Sequence, residues 1–225
     1  MKKLYLYILI LLVLSLAVVF LLKDKRPSEE KLIQYKNEFN LIQLQVFSGS
    51  LLADYQGNGK CLLLYSKNST PVDELKLYIN QISSKESITS VIPVSLGTVS
   101  KSSETVVAAS DFDKAIKENY DCDIIISLLP LTFKASELSK IEILNKESDV
   151  PVRFGIFDGK VGSLEPYLFN GRIHTMTQLS PDAYPIKKVP PKNLMIAFAM
   201  RYILINQERL GMVKKEYPTL FHGGE

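Results

Sequence analysis

From Leu4 to Leu22 the chain carries no charged side chain. At a rise of about 1.5 Å per residue such a run reaches roughly 28 Å, close to the ~30 Å hydrocarbon core, and predicts a membrane-spanning helix. A secretory signal is the competing expectation, but its apolar stretch is normally ~7–15 residues and closes with a small-x-small cleavage site. Ser15-Leu16-Ala17 is the only approximation to one, and Val18 to Leu22 prolong the apolar run beyond it. The expectation is therefore an uncleaved anchor within residues 1–26. Pro27 to Asn40 is polar, with Glu29 and Glu30 suited to a first helical turn, and is expected as a stalk reaching to residue 45. A second helical pattern starts at Val46, continues through Leu51, Leu52 and Tyr55, and stops at Gly57-Asn58-Gly59, a turn signal. The folded domain is expected over 46–225.

Beyond that turn, short apolar runs alternate with helical patterns, the sequence form of a mostly parallel sheet covered on both faces. Cys61 to Tyr65 is the first run, followed by a helix over Pro71 to Ile82, with Pro71 fitting the first turn. Ser90 to Val94 is a second strand, placed at an edge because Pro93 has no backbone donor. A helix over Asp111 to Glu118 precedes Asp123 to Leu128, the strongest β pattern of the chain. Then come a helix over Lys134 to Leu144, a strand over Val152 to Phe157, a short helix near Leu164 to Phe169 and a fifth strand over Arg172 to Gln178. Pro181, Pro185, Pro190 and Pro191 forbid a long regular element, so Ser180 to Lys192 is a surface excursion. Arg201 to Ile205 reads as a late strand and Gln207 to Lys215 as a closing helix, a continuous helix from Leu194 being the alternative. The fold class expected is α/β: a transmembrane helix, then a doubly wound, mostly parallel sheet of five to six strands.

Charge changes one part of this picture. Five of the 27 Lys and Arg and one of the 24 Asp and Glu lie in the first 26 residues, which leaves 22 basic against 23 acidic side chains. The domain is near neutral, which removes the electrostatic case for nucleic acid. Lys2 and Lys3 before the helix nearly balance Lys23, Lys25 and Arg26 after it, so the positive-inside rule does not orient it. An amino terminus inside is preferred because the tail before the helix is three residues long. This places the chain in a bacterial inner membrane as a single-pass protein with its domain outside; a domain tethered inward is the alternative. Cys61 and Cys122 make no disulfide framework and are expected as buried free thiols, and no Cys/His spacing forms a metal site.

The order of signals resembles the carboxyl-terminal lobe of the sugar-type periplasmic binding proteins and the related repressor effector domains. The resemblance runs through Tyr55-Gln56-Gly57-Asn58-Gly59-Lys60, then Tyr120 to Ile126, then Gly155-Ile156-Phe157-Asp158-Gly159, and then Leu168 to Ile173 leading to Gln178-Leu179-Ser180-Pro181. It implies a flavodoxin-like strand order, two-one-three-four-five. A single lobe is expected, so closure of two lobes on a sugar does not carry over.

In such sheets ligands sit outside the carboxyl ends of the strands, near the reversal of strand order. That locates Ser66 and Asn68 after the first strand, Asp158 after the fourth, and Gln178 and Asp182 after the fifth as candidate ligand contacts for a small polar, sugar-like molecule. The plain alternative for each is loop polarity or capping. No catalytic residue is assigned and no cofactor is expected. His174 falls within a strand and His222 in the tail, Ser66 lacks a Gly-x-Ser-x-Gly setting, and the same loop lacks the glycines of a phosphate loop. The function expected is a membrane-tethered extracytoplasmic binding or scaffolding module, serving a small ligand, a protein partner or its own second copy. A cell-envelope enzyme on a flavodoxin-like fold and a transporter accessory subunit are the alternatives.

Overall fold

A computed structural model describes residues 27–221, except 98, 102–103, 130, 132, 134, 146–151 and 187–188. The proposed anchor, residues 4–22, lies outside the described residues. Among the described residues no helix is long and apolar enough to cross a membrane.

Among the described residues the first element is one helix, α1 (Glu29–Leu51), where the sequence pattern separates a stalk from a helix at Val46. The pattern is blurred because the buried side of the helix includes polar residues. Gln43 and Ser48 are buried with Phe39, Leu44, Phe47 and Leu51. Gln43 donates to Thr177 Oγ1 at 2.9 Å, and Ser48 to the carbonyl of Gln45 at 3.3 Å, so their burial is compensated. Gly49 lies within the helix with open space around it, and the packed residues on either side offset its poor helix propensity. Two compact units divide at Glu38 and Phe39, the smaller also including Pro185–Pro190. In the smaller unit Gln34 Nε2 donates to Glu38 Oε1 one turn on, at 2.8 Å.

The larger unit holds the sheet. Its strands are β1 (Gly59–Tyr65), β2 (Ile88–Ser95), β5 (Ile124–Ser127), β6 (Arg153–Ile156), β7 (Thr175–Leu179) and β8 (Tyr202–Asn206), in the order β2-β1-β5-β6-β7-β8. The first five are parallel, and β8 returns antiparallel to β7 with Leu179 opposite Tyr202. β2 lies at the edge that Pro93 requires. A separate antiparallel pair, β3 (Val99–Lys101) and β4 (Glu104–Val106), was not legible, since three residues are too short a run for alternation to show.

α1 and α2 (Val72–Ser83) cover one face, where Phe47, Leu51, Tyr78 and Ile82 pack on Cys61, Leu63, Ile124 and Ile126. The other face carries α3 (Ala109–Glu118), α4 (Ala135–Leu138), α5 (Glu142–Asn145), α6 (Glu165–Phe169) and α8 (Gln207–Glu216) against Leu62, Leu64, Ile125 and Phe154. α7 (Leu194–Ala199) precedes β8. This is a doubly wound α/β layer structure.

The helix expected over Lys134 to Leu144 is two short ones. Asp113 Oδ1 accepts from Glu142 N at 2.8 Å and starts α5 afresh, while Asn145 Nδ2 bonds the carbonyls of Leu138 and Ile141 at 2.8 and 2.7 Å. These side chains satisfy terminal backbone groups that a continuous helix would have paired internally. Strand β7 also starts later than Arg172, because Gly171 takes φ +74° and the preceding turn extends to His174.

Candidate functional site

The parallel strands share one carboxyl edge, and register sets the order of groups along it. Leu64 lies opposite Ser127, Ser127 opposite Ile156, and Ile156 opposite Met176. The residues after these positions therefore run from the Ser66 loop through Leu128 and Asp158 to Gln178. Because β8 is antiparallel, its first residue, Tyr202, and the preceding Arg201 return to the same edge. Strand order reverses between β1 and β5, which puts the loop after β1 beside the crevice.

Ser66 is fully buried, and its hydroxyl accepts from Asn68 N at 3.2 Å. Its carbonyl accepts from Ser69 N and Thr70 N at 3.2 and 2.9 Å, so Ser66 organises its own loop. Asp158 is the one non-glycine at positive φ among the described residues, at 63°. Its backbone N–H donates to Thr177 Oγ1 at 3.2 Å. The same hydroxyl receives Gln43 of α1, so helix, turn and strand β7 meet on one buried threonine. Asp158 is exposed as a residue, while the surroundings of its carboxyl disfavour the charged form. Burial therefore pushes Asp158 above the ordinary carboxylate range, and the N–H of Leu179 draws it partly back.

Gln178 spends its amide oxygen on Val161 N at 3.0 Å, so what it can offer a ligand is the Nε2 donor pair. Asp182 is exposed, and its N–H donates to Ser180 Oγ at 3.3 Å. Asp158, in the turn after β6, thus stands level with Gln178 near the end of β7, while Gln178 points to the face opposite that of Thr177. The loop of Ser66 and Asn68 stands two strand spacings from Asp158, roughly 10 Å.

A polar cluster at this edge was missed by sequence reasoning. Glu74, in the first turn of α2, accepts from Asn40 Nδ2 at 2.8 Å and from the Tyr78 hydroxyl. Burial pushes the Tyr78 phenol up, reinforced by Glu74, with smaller contributions from Tyr202 and Asp158. Phe157 packs edge-on between Phe47 and Tyr78, with ring centroids 5.8 and 5.4 Å away, and so fixes the turn that presents Asp158. Arg201 is buried, stacks its guanidinium 5.2 Å from the Phe39 ring, and donates through Nη1 to the Tyr184 carbonyl. Its Nε has no partner among the described residues. Burial also raises the Tyr202 phenol, with Arg201 opposing the rise. The signal that could have found Arg201 and Tyr202 is the antiparallel return of the last strand, which spacing alone does not show.

His174 sits at the opposite edge. Its N–H donates to the carbonyl of Phe154 at 2.8 Å, and Nδ1 accepts from Phe154 N at 3.3 Å. Burial, with Arg153 adding to it, lowers its pKa to about 4. The length of β6 separates His174 from Asp158 by about 10 Å or more, so the two cannot flank one reacting bond. Cys61 and Cys122 are buried free thiols. Burial pushes the Cys61 thiol up to about 12, which leaves it protonated and unreactive. Among the described residues no group of His, Cys, Asp and Glu could hold a metal ion.

The fold has solved counterparts. A sugar-binding protein of a sugar ABC transporter from Bacillus halodurans aligns with a TM-score of 0.51 and 11% identity, over 77% of this chain and 64% of that one. An arabinose binding protein, AraP, from Geobacillus stearothermophilus aligns with a TM-score of 0.49 and 10% identity, over 77% of this chain and 62% of that one. The chain spans under two thirds of the length of these proteins. The alignment with the first shows a fold of the periplasmic-binding-protein type. No family model matches the sequence, and no curated protein matches it.

Proposed function

We propose that this protein is a membrane-tethered binding module that takes a small polar, sugar-like ligand at the carboxyl edge of its sheet. The observation that carries the reading is the adjacency of Asp158 and Gln178, a carboxylate and an amide donor at the ends of neighbouring strands of a sheet whose fold is that of a sugar-binding protein. A carboxylate accepts from two vicinal hydroxyls of a polyol, and an amide N–H donates to a third oxygen. Asn68 and Asp182 extend the contact surface on either side, while Ser66 holds the shape of its loop. Residues 4–22 form the tether, residues 27–45 lead away from it, and the domain over 46–225 stands on the extracytoplasmic side of a bacterial inner membrane.

A thermal-shift titration of the full chain with a panel of aldopentoses, aldohexoses and polyols tests this. At least one of them is expected to raise Tm in a saturable manner, and Asp158→Gly is expected to abolish the rise. A panel that leaves Tm unchanged throughout speaks for a module that binds protein only.

A further inference from the structure

Helices α7 and α8 flank a groove of about 180 Å3, lined by buried Phe198 and Val213 and by Met195 and Met212, which are 55% and 52% accessible. Arg209 and Glu216 also line it. On α8 the residues Arg209, Met212 and Glu216 follow at spacings of three and four, so they share one stripe of the helix. This stripe is charged against the helix macrodipole. Arg209 sits in the first turn, where Asn206 caps the helix by accepting from Arg209 N at 3.0 Å, and Glu216 is the last helical residue. Elsewhere on α8 the charges follow the dipole, with Glu208 in the first turn and Lys214 and Lys215 in the last. Lys214 is also paired, with Glu165 at 2.6 Å. Arg209 has no carboxylate partner among the described residues.

We propose that this stripe is a self-pairing surface, on which a second copy of the chain docks with its α8 antiparallel to this one. Met212 lies midway between the two charges, so a two-fold axis beside it brings Arg209 of each copy against Glu216 of the other. A surface that is positive at one end, negative at the other and apolar between them is complementary to its own antiparallel image. Antiparallel docking also sets each misplaced charge beside a helix end of favourable sign and opposes the two macrodipoles. The apolar contact is supplied by Met212 and Met195, side chains that adapt readily to a facing surface. None of this depends on ligand binding at the carboxyl edge.

The test uses the full chain in its own membranes, with a thiol-reactive bis-maleimide and the variant M212C. Native Cys61 and Cys122 are buried, and D73C on α2, where the Asp73 side chain is 97% accessible, serves as the control site. M212C is expected to give a cross-linked species of twice the chain mass, several-fold more abundant than with D73C. Added to M212C, R209E or E216R alone is expected to reduce it several-fold, and the two together to restore it. Each single reversal improves the match to the helix dipole, and R209E puts a glutamate three residues after the Asn206 cap; E216R also removes the Glu216 bond to Tyr217, so R209E and the recovery by the double reversal are the arms that separate lost pairing from a weakened helix. Equal cross-linking at the two sites, a product of some other mass, single reversals without effect, or a double reversal that fails to recover each overturns the proposal.

Discussion

At Asp158 an L-residue holds φ +63° while desolvation raises its carboxyl above the ordinary range. Left-handed backbone costs a non-glycine residue about 1 kcal/mol, so a residue kept there against its preference is expected to serve something other than stability. Asp158→Gly should therefore leave Tm unchanged or raise it by a few degrees, while any ligand-induced shift disappears. Asp158→Val should lower Tm, because a β-branched side chain tolerates that backbone worst.

Asp158 and His174 titrate with opposite sign. Asp158 has a raised folded-state pKa, so its contribution to stability is present below its unfolded value of 3.8 and is lost as pH rises through the folded value. His174 is lowered from 6.5 to about 4, so its contribution is present above 6.5 and is lost as pH falls toward 4. In urea unfolding of the full chain, the midpoint should fall between pH 6.5 and about 4, and His174→Gln should flatten that fall relative to the parent. An unchanged slope would remove the assignment to His174. The positions of Asp158 and Gln178 at the strand ends followed from the sequence, since Asp158-Gly159 is a turn signal after one strand and Gln178 closes the next. Glu74, Tyr78 and Arg201 were not legible in it, since they lie within helix or strand patterns and converge only through the tertiary fold.

At the scale of elements, the seat of α1 on the sheet decides the shape of the carboxyl edge. Gly155 in β6 faces it so closely that an added Cβ would lie 2.6 Å from Phe47 Cζ and 3.0 Å from Leu51 Cδ2. Gly155→Ala is expected to cost about 1–3 kcal/mol through displacement of that helix, read as a lowered urea midpoint at constant m. Because the same helix holds Thr177 through Gln43, the variant should also weaken ligand binding by disturbing the Asp158 turn.

The parallel strands were legible because Cys61 to Tyr65 and Ile124 to Ile126 are continuous apolar runs, as strands buried on both faces must be. The edge position of β2 followed from Pro93, and the late strand β8 from its β-branched run. The continuity of α1 was hidden because tertiary hydrogen bonds make polar Gln43 and Ser48 acceptable on its buried side. The break between α4 and α5 was hidden because it depends on Asp113, 29 residues away in sequence.

For the whole molecule, the proposed tether over residues 4–22 has its own test. The full chain should sediment with membranes and resist carbonate extraction, and protease added from outside should digest the domain while sparing a fragment containing residues 4–22. Recovery of the chain in the soluble fraction without its first twenty-odd residues would make it a free secreted binder instead. Polar groups gather along one edge of the six-stranded sheet, and His174 lies at the other. Binding of a small polar ligand at the carboxyl edge would show in amide hydrogen exchange followed by mass spectrometry. The measurement uses the full chain with and without the sugar that gives the largest thermal shift. The account expects protection in peptides containing Asn68, Asp158 and Gln178, with none around Arg153 and His174. Protection at the His174 edge, or a ligand that raises Tm while leaving the Asp158 and Gln178 peptides unchanged, would contradict it.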